Sequence, residues 1–89
     1  MAGAEEDTVS RVTTIQIQGA EYTISDGDIR QVARAHAPGS IVGYYVELEG
    51  RRYPPMQLIR VATGTRDLFN SANARSALTR LGFVVRPAR

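Results

Sequence analysis

The sequence predicts an α+β domain: a small antiparallel sheet with three short helices, in the order ββαββααβ. Three observations carry that expectation. Arg11 to Ile17 and Ile41 to Leu48 alternate along the chain and are rich in β-branched or aromatic residues, as strands are. Three other segments place apolar residues at i, i+3 and i+4, the spacing of an amphipathic helix. Helix boundaries are marked by Ser25-x-x-Asp28, Pro54-Pro55, Gly64 and Gly82.

Met1 to Ser10 has small residues, three adjacent acids and no periodicity, so it reads as a disordered acidic tail. Residues 11–86 then form a single domain. The first strand, Arg11 to Ile17, turns through Gln18 to Glu21 into a short strand, Tyr22 to Ile24. Ser25 and Asp28 resemble a capping box for a helix from about Gly27 to Ala37, ended by Pro38-Gly39. Its stripe is Ile29, Val32, Ala33 and His36, with Arg30 and Arg34 on an exposed face. Ile41 to Leu48 is the next strand, Glu49 to Arg51 its turn, and Arg52-Tyr53 a brief return.

A second helix runs from Pro54 or Pro55 to Thr63, because proline fits the first turn, where its absent N–H would have no partner. Gly64 caps its end. Pro55, Leu58, Ile59 and Ala62 face inward, and Met56, Gln57 and Arg60 outward. Phe69 dips into the core from the loop that follows. Asn70 or Ser71 caps a third helix to Leu81, buried along Ala74, Ala77, Leu78 and Leu81. Asn73, Arg75, Ser76, Thr79 and Arg80 stay outside. Phe83 to Val85 is the last strand, and Arg86 to Arg89 a frayed basic tail.

Several function classes have no support in the residues. The chain has 89 residues and no cysteine, so it carries no disulfide or thiolate metal site, which fits a cytoplasmic protein. No apolar run approaches the ~18 residues of a membrane span, and the acidic start is no signal peptide. His36, the only histidine, ends an apolar stripe and reads as a packed or capping residue. Asp26-Gly27-Asp28 lacks the rest of a calcium loop. No serine–histidine–aspartate set and no phosphate-binding glycine loop is present. The expectation is a protein that is not an enzyme and has no cofactor or metal.

Charge is divided along the chain. Residues 1–29 carry Arg11 against six carboxylates, a net −5, whereas residues 30–89 carry ten arginines against Glu47, Glu49 and Asp67, a net +7. Such asymmetry is a footprint of nucleic-acid or anionic-surface binding. All eleven basic residues are arginine. Guanidinium forks suit phosphates and base edges, although codon usage alone also yields arginine without lysine. Arg51, Arg52, Tyr53 and Pro54 put cationic and aromatic groups at a strand-to-helix corner. Arg60 lies further along that helix, and Asn73, Arg75 and Arg80 on the exposed surface of the third.

Tyr44 or Tyr45, Val46, Gly50-Arg51-Arg52-Tyr53-Pro54, Ala62, Phe69 and Leu81-Gly82-Phe83-x-Val85 together resemble the DNA sulfur-binding domain of type IV modification-dependent restriction enzymes. The likeness covers residues 44–85, about half the chain. It implies that Tyr53 and Pro54 form an apolar cup for the sulfur of a phosphorothioate linkage, with Arg51 and Arg52 on adjacent phosphates. The chain departs from that pattern in a shorter segment before Phe69 and in Met56-Gln57 after the prolines. It also carries no nuclease motif.

The residues therefore point to a non-catalytic nucleic-acid-binding module for duplex DNA, modified DNA and RNA remaining open. The alternative is a protein-interaction or regulatory subunit, an antitoxin-like partner or a homodimer. Nucleic-acid binding predicts that Arg51, Arg52, Arg75 and Arg80 converge on one face. A partner module predicts scattered arginines with an exposed apolar patch or edge strand.

Overall fold

The computed structural model describes residues 11–88. The expected acidic tail at residues 1–10 lies outside them. β1 (Val12–Ile17) and β2 (Ala20–Ser25) form an antiparallel hairpin. Its turn is two residues rather than four, because Gln18 and Gly19 both adopt positive φ, 53° and 82°, as a type I′ turn requires. Glu49 and Gly50 repeat the device at 53° and 75° and join β3 (Tyr44–Leu48) to β4 (Arg51–Tyr53).

Each hairpin runs into a helix. α1 (Asp26–Ala35) follows the first and α2 (Pro55–Thr63) the second. α3 (Ser71–Arg80) and β5 (Val85–Pro87) complete the chain. The α+β class, the three helices and the element order match the expectation. The sheet is divided in two: the β1–β2 hairpin stands apart from a three-stranded sheet ordered β4-β3-β5. The cause is packing, since β1 lies against α3 and β2 against α1 and α2 instead of joining a sheet edge. Ile15, Ile17 and Ile24 of the hairpin, Ile29 of α1, Val46 and Tyr53 of the sheet, Leu58 and Ile59 of α2, and Leu78 of α3 fill one shared core.

Details shift for local reasons. Ser25 and Asp28 form the capping box, each side chain accepting the other's backbone N–H. The helix starts at Asp26 and stops at Ala35, where His36 turns extended at φ −135° and becomes an exposed C-cap rather than a stripe residue. The strand expected from Ile41 begins only at Tyr44. Gly43 at φ 81° makes a tight turn closed by the Tyr44 N–H on the Val42 carbonyl, at 2.9 Å. Val42 is thereby left 83% exposed. The last strand starts at Val85, not Phe83, and takes Arg86 and Pro87 into the sheet instead of leaving them frayed. Asn70, not Ser71, caps α3 through its side-chain oxygen.

Among the described residues Asp26 is the one carboxylate held deep in the fold, 6% exposed. It accepts from the Arg11 backbone N–H at 2.9 Å and from the Arg30 guanidinium at 2.6 Å. Burial pushes its carboxyl up, but the Arg30 hydrogen bond, the Arg11 N–H, the Arg30 charge and the Gly27 N–H outweigh this and hold it below the usual carboxylate range. A depressed carboxylate stabilises the fold above its unfolded pKa, and the contribution is lost as pH falls through the folded value. Asp26→Asn is expected to cost about 1.5–3 kcal/mol at neutral pH, the scale of hydrogen bonds to a charged group. Urea melts at neutral pH and near pH 3 check this: the gap between wild type and variant should narrow in acid.

Among the described residues no helix is long and apolar enough to cross a membrane.

Candidate nucleic-acid interface

The alternation of β3 decides which side chains meet which surface. Tyr44, Val46 and Leu48 share the inward face, and Tyr45 and Glu47 the outward one. The register then adds Arg51 and Tyr53 of β4 to the inward face, opposite Leu48 and Val46, and Arg52 to the outward face, opposite Glu47.

Tyr44 lies at the rim of the inward face. Arg75, one turn into α3, lays its guanidinium over the Tyr44 ring at 4.1 Å from the centroid, well inside cation–π range. It also donates to the Ser71 hydroxyl at 3.3 Å. Beside this stack is a cleft of about 220 Å³ bounded by Ser40, Val42, Tyr44, Pro54, Pro55, Met56, Ser71 and Arg75. The strand-to-helix corner and the start of α3 therefore share one concave surface. Its walls are mostly apolar, and its one formal charge is Arg75. Pro54 precedes α2 without any side-chain cap, as its lack of a polar side chain dictates.

The expected site residues separate. Pro54 and Arg75 line the cleft. Tyr53 does not: it is 0% exposed, and its hydroxyl donates to the carbonyls of Ala33 at 2.6 Å and His36 at 2.7 Å. Its register opposite Val46 points it inward, so it closes the end of α1 and cannot form the cup that the resemblance gives it. The tyrosine in the cleft is Tyr44. Arg51 stays with Tyr53, donating to the Ala33 carbonyl at 3.2 Å and lying 5.7 Å from the Tyr53 ring. Arg52 stacks on Tyr45 at 4.4 Å, on the opposite side of the sheet.

Arg60 covers Phe69 at 5.2 Å and reaches the Asp67 carbonyl at 3.5 Å, bracing the loop after α2. Arg80 is a strut between α3 and β1, bonded to the Thr13 hydroxyl, the Thr14 carbonyl and the Ser76 hydroxyl at 2.7, 2.9 and 2.8 Å. Asn73 is exposed and borders a shallow groove with Thr14, Gln16, Ser76 and Arg80. Arg51, Arg52, Arg75 and Arg80 thus do not converge on one face. Arg75 and Arg80 are five positions apart, about 140° around the helix, so they point to different neighbours.

Val42 and Met56 line the cleft with no signal in the sequence that marks them as site residues, and Tyr44 is marked only as one of two adjacent tyrosines. The adjacency of two tyrosines signalled that one of them faces out, but the γ-like turn at Gly43 that exposes Val42 has no signal beyond a lone glycine. Among the described residues no group of three or more His, Cys, Asp or Glu side chains comes together to hold a metal. No protein-family model, curated protein or solved structure matches the chain.

Proposed function

We propose that the chain is a non-catalytic module that binds duplex DNA, with Arg75, Tyr44 and the cleft beside them as the main contact. The observation that supports this best is the unneutralised arginine set. Of the ten arginines in residues 11–88, only Arg30 and Arg34 form ion pairs among the described residues, with Asp26 and Glu49. Free cations of one sign repel one another, and a polyanion relieves that repulsion while releasing its own counterions. Arg75 is the best prepared of them. Its guanidinium is held over a ring, so little freedom is lost on contact, and the N–H groups not bonded to Ser71 stay open to a phosphate.

The apolar walls formed by Val42, Pro54, Pro55 and Met56 add a preference for a less hydrated group beside the charge. A phosphorothioate sulfur is such a group, and the resemblance to sulfur-binding domains favours testing it. Tyr44 then takes the place that the resemblance assigned to Tyr53.

A second reading, a protein-interaction module or homodimer, is favoured by the scattered arginines and by the hairpin. Among the described residues β1 pairs only with β2; Arg80 occupies the Thr14 carbonyl on its outer edge, but Val12 beyond it is 61% exposed, so the end of that edge offers an apolar side chain for strand addition. An NMR titration with a short duplex at low salt separates the two. DNA binding predicts that backbone amides of Tyr44, Met56, Ser71 and Arg75 shift together. Unmoved amides at these four positions would leave the partner reading.

A further inference from the structure

Tyr44 and Tyr45 are consecutive on β3 and so project from opposite faces of one sheet. Each lies under an arginine from a different element, Arg75 of α3 at 4.1 Å and Arg52 of β4 at 4.4 Å. Neither arginine forms an ion pair among the described residues. On the outward face the register sets Arg86 of β5 directly opposite Tyr45. Tyr45 is therefore flanked by Arg52 on one neighbouring strand and Arg86 on the other. Both arginines are exposed, as is Glu47, the only acid on that face of the sheet.

We infer that the domain holds two duplex segments at once, one at the Arg75–Tyr44 cleft on the rim of the three-stranded sheet's inward side and one on its outward face. This rests on the DNA-binding reading above and extends it to a bridging role. Three strands about 4.8 Å apart span only ~10 Å. A duplex with a persistence length of about 150 base pairs does not bend around so narrow an edge, so a duplex lying flat against one side of the sheet leaves the stack on the other side open to a second. The two stacks are alike in kind. A planar cation lies on a tyrosine, its outer N–H groups free for phosphate. They differ in strength. The inward one has the cleft beside it, whereas the outward one has Glu47 directly opposite Arg52, so the outward face is the weaker site.

The test is co-capture. A biotinylated duplex on beads is loaded with protein and then offered a second, fluorescent duplex at low salt, with retention of protein on the beads measured separately. The expected result is that wild type captures the second duplex. Arg52→Gln with Arg86→Gln should stay on the beads with affinity within about threefold, yet lose the capture, since each exposed phosphate contact removed weakens only its own face. Arg52→Lys with Arg86→Lys, which keeps both charges, should restore it in part. Wild type that loads the beads but captures no second duplex overturns the inference. Capture that survives the double glutamine variant also overturns it, because self-association of the protein then explains the bridge. Failure of wild type to load the beads at all overturns the DNA-binding reading together with this one.

Discussion

Tyr53→Ala is expected to cost about 3–5 kcal/mol, the scale of removing a large aromatic side chain from a packed core. For a domain of this size, whose whole stability is ~5–15 kcal/mol, that leaves much of the chain unfolded on mild heating. The size of the effect follows from what the ring joins. Tyr53 is fully buried between the three-stranded sheet and the helices, and its hydroxyl holds two carbonyls at the end of α1. These are carbonyls that the helix itself cannot satisfy. Tyr53→Phe keeps the ring and loses the hydroxyl, so it should cost about 1–2 kcal/mol. Urea unfolding followed by circular dichroism checks both. An alanine variant within about 1 kcal/mol of wild type would contradict a core role and reopen the possibility that this tyrosine serves a ligand.

The second large effect is on binding. Arg75→Gln should weaken duplex DNA binding about tenfold or more, because a charge-assisted contact is worth ~1.5–3 kcal/mol and each 1.4 kcal/mol is a factor of ten. It should also lower the salt slope by about one unit, as loss of one phosphate contact does. Stability should change little, since Arg75 is partly exposed and, among the described residues, its side chain's one hydrogen bond is to the neighbouring Ser71. Arg75→Lys distinguishes charge from shape. It should keep the salt slope but recover only part of the affinity, because an ammonium does not lie flat on Tyr44. Anisotropy titrations of the three proteins give both numbers. Equal affinity of wild type and the glutamine variant would place the contact elsewhere.

The fold was largely legible in the sequence where local physics decides alone. The helix spacings found the buried stripes: Ile29, Val32 and Ala33; Pro55, Leu58 and Ile59; Ala74, Ala77, Leu78 and Leu81. Ser25 with Asp28 and Gly64 at φ 72° acted as the chain punctuation implied. The separation of the two sheets was not legible, because it depends on which element covers the face of β1, and residues such as Ile15 and Leu78 join one core from 63 positions apart. The tight turns at Gln18-Gly19 and Glu49-Gly50 were half legible. Each glycine was visible, but the positive φ of its non-glycine partner is imposed by the twist of the paired strands.

The candidate site was legible in its parts and not in its assembly. The corner at Pro54 and the third helix were both expected, and the cleft joins them. Which tyrosine serves it depends on strand register, which the two-residue turn at Glu49-Gly50 fixes and the expected three-residue turn, Glu49 to Arg51, would have changed. Arg80 shows the same limit. Its spacing on an exposed helix face is correct, yet β1 supplies two partners for it from the far end of the chain, Thr13 and Thr14. Adjacent arginines at positions 51 and 52 point to opposite faces by strand geometry alone, so their proximity in sequence never implied a joint site.

The most direct test of the DNA-binding claim is the anisotropy of a labelled duplex at two salt concentrations, run with a plain duplex and with one bearing a phosphorothioate. DNA binding predicts association at low salt that falls steeply as salt rises, with a slope of log K on log salt of about −2 or steeper for several phosphate contacts. Tighter binding of the phosphorothioate duplex would add that the apolar cleft beside Arg75 takes the sulfur. No binding of either duplex at low salt would contradict the claim and leave the open edge of β1 as the surface that meets a protein partner.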